Sequence, residues 1–384
     1  MEIFWFLPTS GDEQYLGSLE GRREPTTSYL RQIVTALDDL GYGGVFLPSA
    51  IGCEEAWVTA AALLPATERL RFLVAIRPGV ILPSIAARMS ASLDRISEGR
   101  LLVHVVTGAG KDHLAAEGVF VRHDSRYELT EEFLTIWRGL MRGETVDFTG
   151  RHLSIREGRI WPLPVQQPYP PLYFAGSSAP AIEVAARHAD VYLSWGEPPH
   201  MVREKIDAVR RSASAIGRTV KFGLRLHVVV RSTEEAAWAA AEDLLRYVTD
   251  EQIASVQANL TKNNSEGQRR MQQLHRGRRT GLEVSPNLWA GIGLVRPGAG
   301  TALVGSPKIV AERLKEYADL GIENFILSGY PHLEEAYRFA ELVFPLIPNL
   351  TVPEVKVRAS ERTEFHGWWS PKETSATSPD PVSA

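Results

Sequence analysis

Eight short apolar runs separated by amphipathic stretches constrain the fold of this chain more than any other feature of its sequence. The runs are Ile3 to Pro8, Gly44 to Pro48, Leu70 to Ile76, Leu101 to Thr107, Leu172 to Ala175, Val191 to Trp195, Phe222 to Val230 and Phe325 to Ser328. Between most of them, apolar residues recur at helical spacing: Ser28 to Leu40, Glu54 to Leu64, Ile85 to Ile96, Tyr127 to Met141, Met201 to Ile216, Thr233 to Tyr247 and Lys308 to Leu320. Strands alternating with helices in this way predict an α/β protein whose parallel sheet closes on itself, a (β/α)8 TIM barrel. No G-x-G-x-x-G turn follows the first run, which argues against an open dinucleotide-binding sheet.

Two stretches break the rhythm. Residues 142–171 run through GETVDFTGRHLSI into a proline-rich segment and predict a small hairpin inserted before the fifth strand. Residues 250–305 contain NNSEGQRRM, HRGRRTG and LVRPGAGTALVG, and a connection of that length is expected to be a lid or an unstructured linker. The expected organisation is one barrel domain over 1–348 carrying these insertions, followed by a C-terminal extension over 349–384. The extension has a disordered composition, apart from Trp368 and Trp369, which are expected to dock on this subunit or a neighbour in a dimer or tetramer.

Composition narrows the function classes. With 42 basic and 46 acidic residues the net charge is -4, so no electrostatic footprint for nucleic acid or an acidic membrane is expected. A single cysteine, Cys53, cannot form an intramolecular disulfide and fits a reducing cytoplasm. The start MEIFWFLPTSGDEQ has no basic segment leading into a long apolar core, and no apolar run approaches membrane-spanning length. The expectation is a soluble cytoplasmic protein acting on a small molecule.

In a parallel barrel the chemistry gathers where the strands end. Those positions are Thr9 and Ser10, Ser49 with Cys53 beyond it, Arg77, Thr107, Gly176 to Ser178, Trp195 to Glu197, Arg225 with His227, and Tyr330 with His332. Cations, hydroxyls and aromatics in one place describe a pocket for a flat ring and an oxyanion. Arg225 and His227 sit two residues apart in the apolar run FGLRLHVVV, so one strand would present both on one face. A guanidinium there requires an anionic partner, either a ligand or a carboxylate of the chain. Ala175-Gly-Ser-Ser-Ala-Pro180 passes from a strand into a helix, where Ser177 and Ser178 are placed either to hold a phosphate or to cap the helix. Read alone, Cys53 is equally a packing residue and Trp195 a barrel-core residue. His104, His113 and His123 read as structural or solvated, and no spacing proposes a metal.

The segments FWFLPT, GCE-x-AW, LVAIRPG, VVTG, QQPYPPLYF-x-GSS, WGEPP, SPNLWAG and LSGYPHLEEAYR resemble the flavin-dependent alkanesulfonate monooxygenases of the bacterial luciferase superfamily, from about Phe4 to Leu346. The resemblance implies a barrel that takes reduced FMN from a separate NAD(P)H-dependent FMN reductase, uses dioxygen, and cleaves the carbon–sulfur bond of an organosulfonate into sulfite and an aldehyde. It also implies site roles. Arg225, His227, Trp195, Tyr330, His332 and Cys53 would line the flavin and sulfonate pocket, and Arg296 would close over it. Tyr127, Ser177 and Ser178 would serve the FMN phosphate, and Thr107 the ring edge. Planar guanidinium groups suit a sulfonate, whose charge is spread over three oxygens.

Several positions depart from that family's pattern. An arginine is lost from the stretch Ser49-Ala-Ile-Gly-Cys-Glu-Glu55, Ser10 replaces a histidine, His104 an asparagine, and Gly110-Lys111 an acidic-proline pair. These changes are expected at the pocket mouth, and they leave two substrate readings open: a simple alkanesulfonate, or a bulky sugar sulfonate as in the sulfoquinovose monooxygenase branch. The rival functions are another FMN- or deazaflavin-dependent oxidoreductase of the superfamily, and a barrel that binds flavin or sulfonate without turnover.

Overall fold

The computed structural model describes residues 1–108, 111–262 and 265–354. The barrel opens with β1 (Glu2–Phe6), α1 (Thr27–Asp39), β2 (Gly44–Leu47), α2 (Ala56–Leu63), β3 (Arg71–Ile76), α3 (Pro83–Ile96) and β4 (Leu101–Val105). Two helices, α4 (Lys111–Ala116) and α5 (His123–Met141), and the hairpin β5 (Val146–Thr149) with β6 (Ser154–Gly158) precede β7 (Leu172–Ala175). The chain continues through α6 (Ala179–His188), β8 (Val191–Trp195), α7 (Pro199–Ser214), β9 (Lys221–Arg225), β10 (His227–Val230) and α8 (Glu234–Asp243). The second insertion holds α9 (Asp250–Thr261), α10 (Glu266–His275), β11 (Glu283–Ser285), β12 (Leu288–Trp289) and β13 (Ala302–Gly305). It returns through α11 (Pro307–Asp319) and β14 (Ile322–Leu327) to α12 (His332–Val343).

The eight parallel strands close in the order β1-β14-β9-β8-β7-β4-β3-β2, the barrel that the alternation predicts. Side-chain alternation divides each strand between two cores. Ile3, Trp5, Val45, Phe72, Val74, Val103, Phe174, Leu224 and Phe325 face the helices, whereas Phe4, Phe46, Leu73, Leu102, Tyr173, Val191, Leu193 and Ile326 fill the interior. The same period brings His104, Trp195 and Arg225 inward at the top of their strands, above that apolar filling.

The run Phe222 to Val230 is not one strand, as its composition implies, but two. β9 ends at Arg225, and from His227 the chain pairs with β13 in a separate sheet ordered β10-β13-β12-β11. The second insertion is likewise no unstructured connection. Its helices and strands enclose a core of their own, built on Ile253, Leu282, Trp289, Ile292, Leu294, Ala302 and Val304 with Val229 and Leu244. Trp368 and Trp369 lie outside the described residues.

A buried ion cluster ties this insertion to the barrel. Glu197, fully buried just past β8, accepts hydrogen bonds from Lys205 Nζ at 2.9 Å and from Arg270 Nη2 of α10 at 2.6 Å. Removing one member of a buried cluster leaves its partners desolvated and uncompensated, at a cost of about 3–5 kcal/mol. Glu197→Gln should lower unfolding stability by about 3 kcal/mol and open α10 to trypsin, both read by denaturant titration and limited digestion. Unchanged stability and an unchanged digestion pattern would show that the cluster does not hold the insertion.

Candidate active site

The site is built on an aromatic floor at the C-terminal end of the barrel. The Arg225 guanidinium lies 4.7 Å from the centroid of Phe6, Phe6 lies 5.6 Å from Phe46, and Phe46 meets the edge of His104 at 5.0 Å. This series separates two halves, one cationic and one lined mainly by apolar groups and hydroxyls.

Arg225 is 9% exposed, and its Nη1 donates to the carbonyl of Leu226 at 2.6 Å. No carboxylate of the described residues pairs with it, so the structural ion pair that would have accounted for it is absent from the described residues. Burial, with Arg296 nearby, pushes its pKa down to about 9, which still leaves a cation at neutral pH. Arg296 follows a short 3-10 turn, Gly291–Leu294, and donates to the Tyr330 hydroxyl. Burial opposes its charge, but Tyr330 and Glu13, with Cys53 contributing less, outweigh that penalty and raise its pKa. Two desolvated cations facing one space favour an anion between them.

The two histidines on this side differ in what they can do. His227 Nε2 lies 3.0 Å from the Ala299 carbonyl, so that nitrogen carries the proton, and Nδ1 accepts from the Ser328 hydroxyl at 2.7 Å. Both ring nitrogens are thereby engaged, and the ring stacks on Tyr330 at 5.5 Å. His332 has Nδ1 3.1 Å from the Phe6 carbonyl, which places its proton there and leaves Nε2 a lone pair with no partner among the described residues. Burial first, then the charges of Arg225 and Arg296, hold both histidines well below their ordinary pKa and therefore neutral. The backbone N–H of His332 is fixed by Asp12 at 2.8 Å.

On the other side lies a cavity of about 170 Å³ whose lining includes His104, Thr107, Tyr127, Ser177, Ser178, Trp195 and Gly267. Ser178 occupies the N-cap position of α6, yet it makes no capping bond; its hydroxyl donates to Tyr127 at 3.1 Å instead. The capping alternative for Ser178 is thus set aside. Trp195 ends β8 in register with Arg225 and stands between the two halves. Cys53, half-buried before α2, is near enough to Arg296 to affect it and does not line this cavity. Of the expected residues, Thr107, Tyr127, Ser177, Ser178 and Trp195 line the cavity, Arg225, His227, Arg296, Tyr330 and His332 act on one another beside it, and Cys53 reaches only Arg296.

His104 corrects one expectation and decides another. It lies on the site's floor rather than at the pocket mouth, and of the structural and solvated alternatives it takes the buried one, with no hydrogen-bond partner among the described residues. His113 falls in α4 and His123 begins α5, and their side chains lie outside what the structure describes. The sequence reading missed α10 altogether. A Cβ on Gly267 would come within 3.1 Å of the Trp195 ring, so glycine lets the helix close against the indole. One residue on, Gln268 Oε1 accepts from the Gly298 N–H at 3.0 Å in the Arg296 loop. The base of that loop closes by backbone contact, where a Cβ on Gly300 would meet Gly293 Cα at 2.7 Å. The amphipathic spacing of Gln268, Met271 and His275, all buried, is the signal that could have located this helix.

Among the described residues no group of three or more His, Cys, Asp or Glu is arranged to hold a metal ion, and no helix is long and apolar enough to cross a membrane. Residues 1–324 match the family model of the luciferase-like monooxygenases. Solved structures with the same architecture include a riboflavin lyase with modified FMN and riboflavin, at 22% identity and TM-score 0.76, covering 90% of this chain and 91% of that one. A long-chain alkane monooxygenase matches at 20% identity and TM-score 0.75, covering 90% of each chain. EDTA monooxygenase from Chelativorans sp. BNC1 matches at 18% identity and TM-score 0.71, covering 90% and 93%. At these identities the likeness is one of fold.

The neutral histidines make stability depend on pH. His104, pushed down to about 4 by burial, and His227 and His332 stay neutral in the fold, whereas an unfolded chain protonates them below about 6.5. Unfolding then takes up protons, so stability falls as pH drops below 6.5, by about 1.4 kcal/mol per unit for each histidine. Asp12, raised to about 6 mainly by burial, acts in the opposite sense together with Asp190 and Glu335, but burial also lowers His188 and His275, so five histidines stand against three carboxylates. Denaturant titrations should give a stability that is flat above pH 7 as far as these groups go and falls by several kcal/mol toward pH 5. A flat profile from pH 7 to pH 5 would mean that the histidines are not held neutral.

Proposed function

The chain belongs to the luciferase-like monooxygenase family, and from that premise we propose that it is a reduced-FMN-dependent monooxygenase that cleaves the carbon–sulfur bond of an organosulfonate, releasing sulfite and an aldehyde. The observation that carries this reading is Arg225, a buried guanidinium with Arg296 beside it and no carboxylate partner among the described residues. A sulfonate supplies the missing anion, and its oxygens can engage both planar forks. The substrate carbon then lies toward Trp195, at the boundary with the second half of the site. The departures from the alkanesulfonate pattern, Ser10 and the stretch from Ser49 to Glu55 among them, favour a bulky hydroxylated tail, such as a sugar sulfonate, on the retained headgroup.

The cavity residues fit FMN. Ser177, Ser178 and Tyr127 would hold the phosphate with the first turn of α6, and Thr107, Trp195 and the floor would hold the ring. When bound and reduced, FMN supplies two electrons and the means of activating dioxygen, of which one oxygen atom ends on the substrate carbon and the other in water. A separate NAD(P)H-dependent reductase, acting in the cytoplasm, would supply the reduced flavin.

The chain's own groups do the rest. Arg225 and Arg296 orient the headgroup and favour negative charge on the leaving sulfite. His332 Nε2, neutral and unprotonated, is the atom placed to accept the substrate proton, whereas His227 is committed to pinning Ala299 and Ser328. The Arg296 loop, tied to α10 through Gln268 and to β10 through His227, excludes water from the reacting atoms.

Supplied with reduced FMN, oxygen and a panel of simple alkanesulfonates and sulfoquinovose, the protein should release sulfite. Arg225→Ala should lose at least about two orders of magnitude in rate. Arg296→Ala should bind reduced flavin but consume oxygen into hydrogen peroxide without matching sulfite. No sulfite from any substrate would favour a different reaction on the same scaffold, and tight coupling in Arg296→Ala would deny the loop its gating role.

A further inference from the structure

The barrel floor holds a hydrogen-bonding side chain that the fold itself does not use. The inward positions of β4 are Leu102 and His104, and His104 is 8% exposed at the base of the 170 Å³ cavity. Neither of its ring nitrogens has a hydrogen-bond partner among the described residues, and Phe46 packs against it with ring centroids 5.0 Å apart. Buried donors and acceptors are normally paired, so a native site that leaves both nitrogens of an imidazole bare is one that a ligand completes.

We infer that His104 is a ring contact of the bound flavin: its imidazole hydrogen-bonds a polar atom of the isoalloxazine and so fixes which edge of the ring faces the barrel floor. The inference rests on the flavin reading above. His104 lies within β4, at the strand end of the cavity, whereas Ser177, Ser178 and Tyr127 stand on the segments beyond the strand ends. The ring therefore falls to His104 and the phosphate to the hydroxyls. Burial keeps the imidazole neutral, with one donor and one acceptor, a set that matches the N–H and carbonyl groups of a flavin ring and is poorly suited to a phosphate. Phe46 and Phe6 stand between His104 and Arg225, which assigns the histidine to the cofactor rather than to the anionic headgroup. The asparagine of the resembling sequences at this position offers the same donor and acceptor on a shorter stem, which makes His104→Asn the conservative replacement.

Binding of oxidised FMN and of riboflavin, followed by fluorescence and by the visible absorption of the bound flavin, tests this in the full chain. His104→Leu should weaken both ligands by the same factor, about tenfold, and abolish the absorption shift seen on wild-type binding. His104→Asn should recover most of the affinity, and Ser178→Ala should weaken FMN alone. The flavin-free His104→Leu protein should melt at or above the wild type, because two unpaired polar atoms leave an apolar site. Should that variant not fold, histidine ring-nitrogen resonances of the wild type must shift on adding riboflavin. Unchanged affinity for both flavins, a loss confined to FMN, or a fall in turnover alone would overturn the contact. A wild-type protein that binds neither flavin would instead overturn the flavin reading, and this inference with it.

Discussion

An arginine buried at the C-terminal end of a barrel with no carboxylate partner among the described residues is the constraint on which the rest of this site depends. Moving a guanidinium out of water costs several kcal/mol even after relaxation, and here one backbone carbonyl and the face of Phe6 offset only part of it. Of the charged and titratable groups around it, Tyr330 favours its charge but the others give no further relief. Arg296 is a second cation, and His227 and His332 are held neutral with their protons directed to backbone carbonyls. The sign of the charge at this end of the barrel is therefore positive, and an anion bound beside Arg225, as proposed, would relieve part of the desolvation cost.

Helix α10 joins the cationic half of the site to the cavity. Within four residues it presents Gly267 to the Trp195 ring, Gln268 to the Arg296 loop and Arg270 to buried Glu197. Filling the cavity, seating the loop and keeping the ion cluster intact thus bear on one rigid element. If the proposed cofactor and substrate bind to these two halves, a helix contacting both gives a physical route by which each could favour the other's binding.

Much of this was legible in the sequence. The eight barrel strands could be read because each is buried on both faces and reads as a continuous apolar run. The residues at their ends could be read because a parallel barrel has one functional face. The break at Leu226 could not, since leaving one sheet for another changes neither polarity nor β propensity along FGLRLHVVV. Only the pairing of His227 with Ala302 reveals it. The insertion misled for a related reason: its Gly- and Arg-rich turns conceal short elements that are stable through contact with Val229, Leu244 and Tyr330, all distant in sequence. His104 shows the opposite limit. A lone histidine in a strand is uninformative until its neighbours are known to offer it nothing.

The account stands or falls on the sign and shape of the ligand at Arg225, and one comparison isolates both. Affinity should be measured, anaerobically and with reduced FMN present, for a sulfonate and for the neutral methyl sulfone carrying the same tail, on the wild type and on Arg225→Ala. A site built around an uncompensated guanidinium binds the sulfonate, rejects the sulfone by at least about a hundredfold, and loses that preference in the variant. Equal affinity for the two ligands, or a preference that survives in Arg225→Ala, would contradict it.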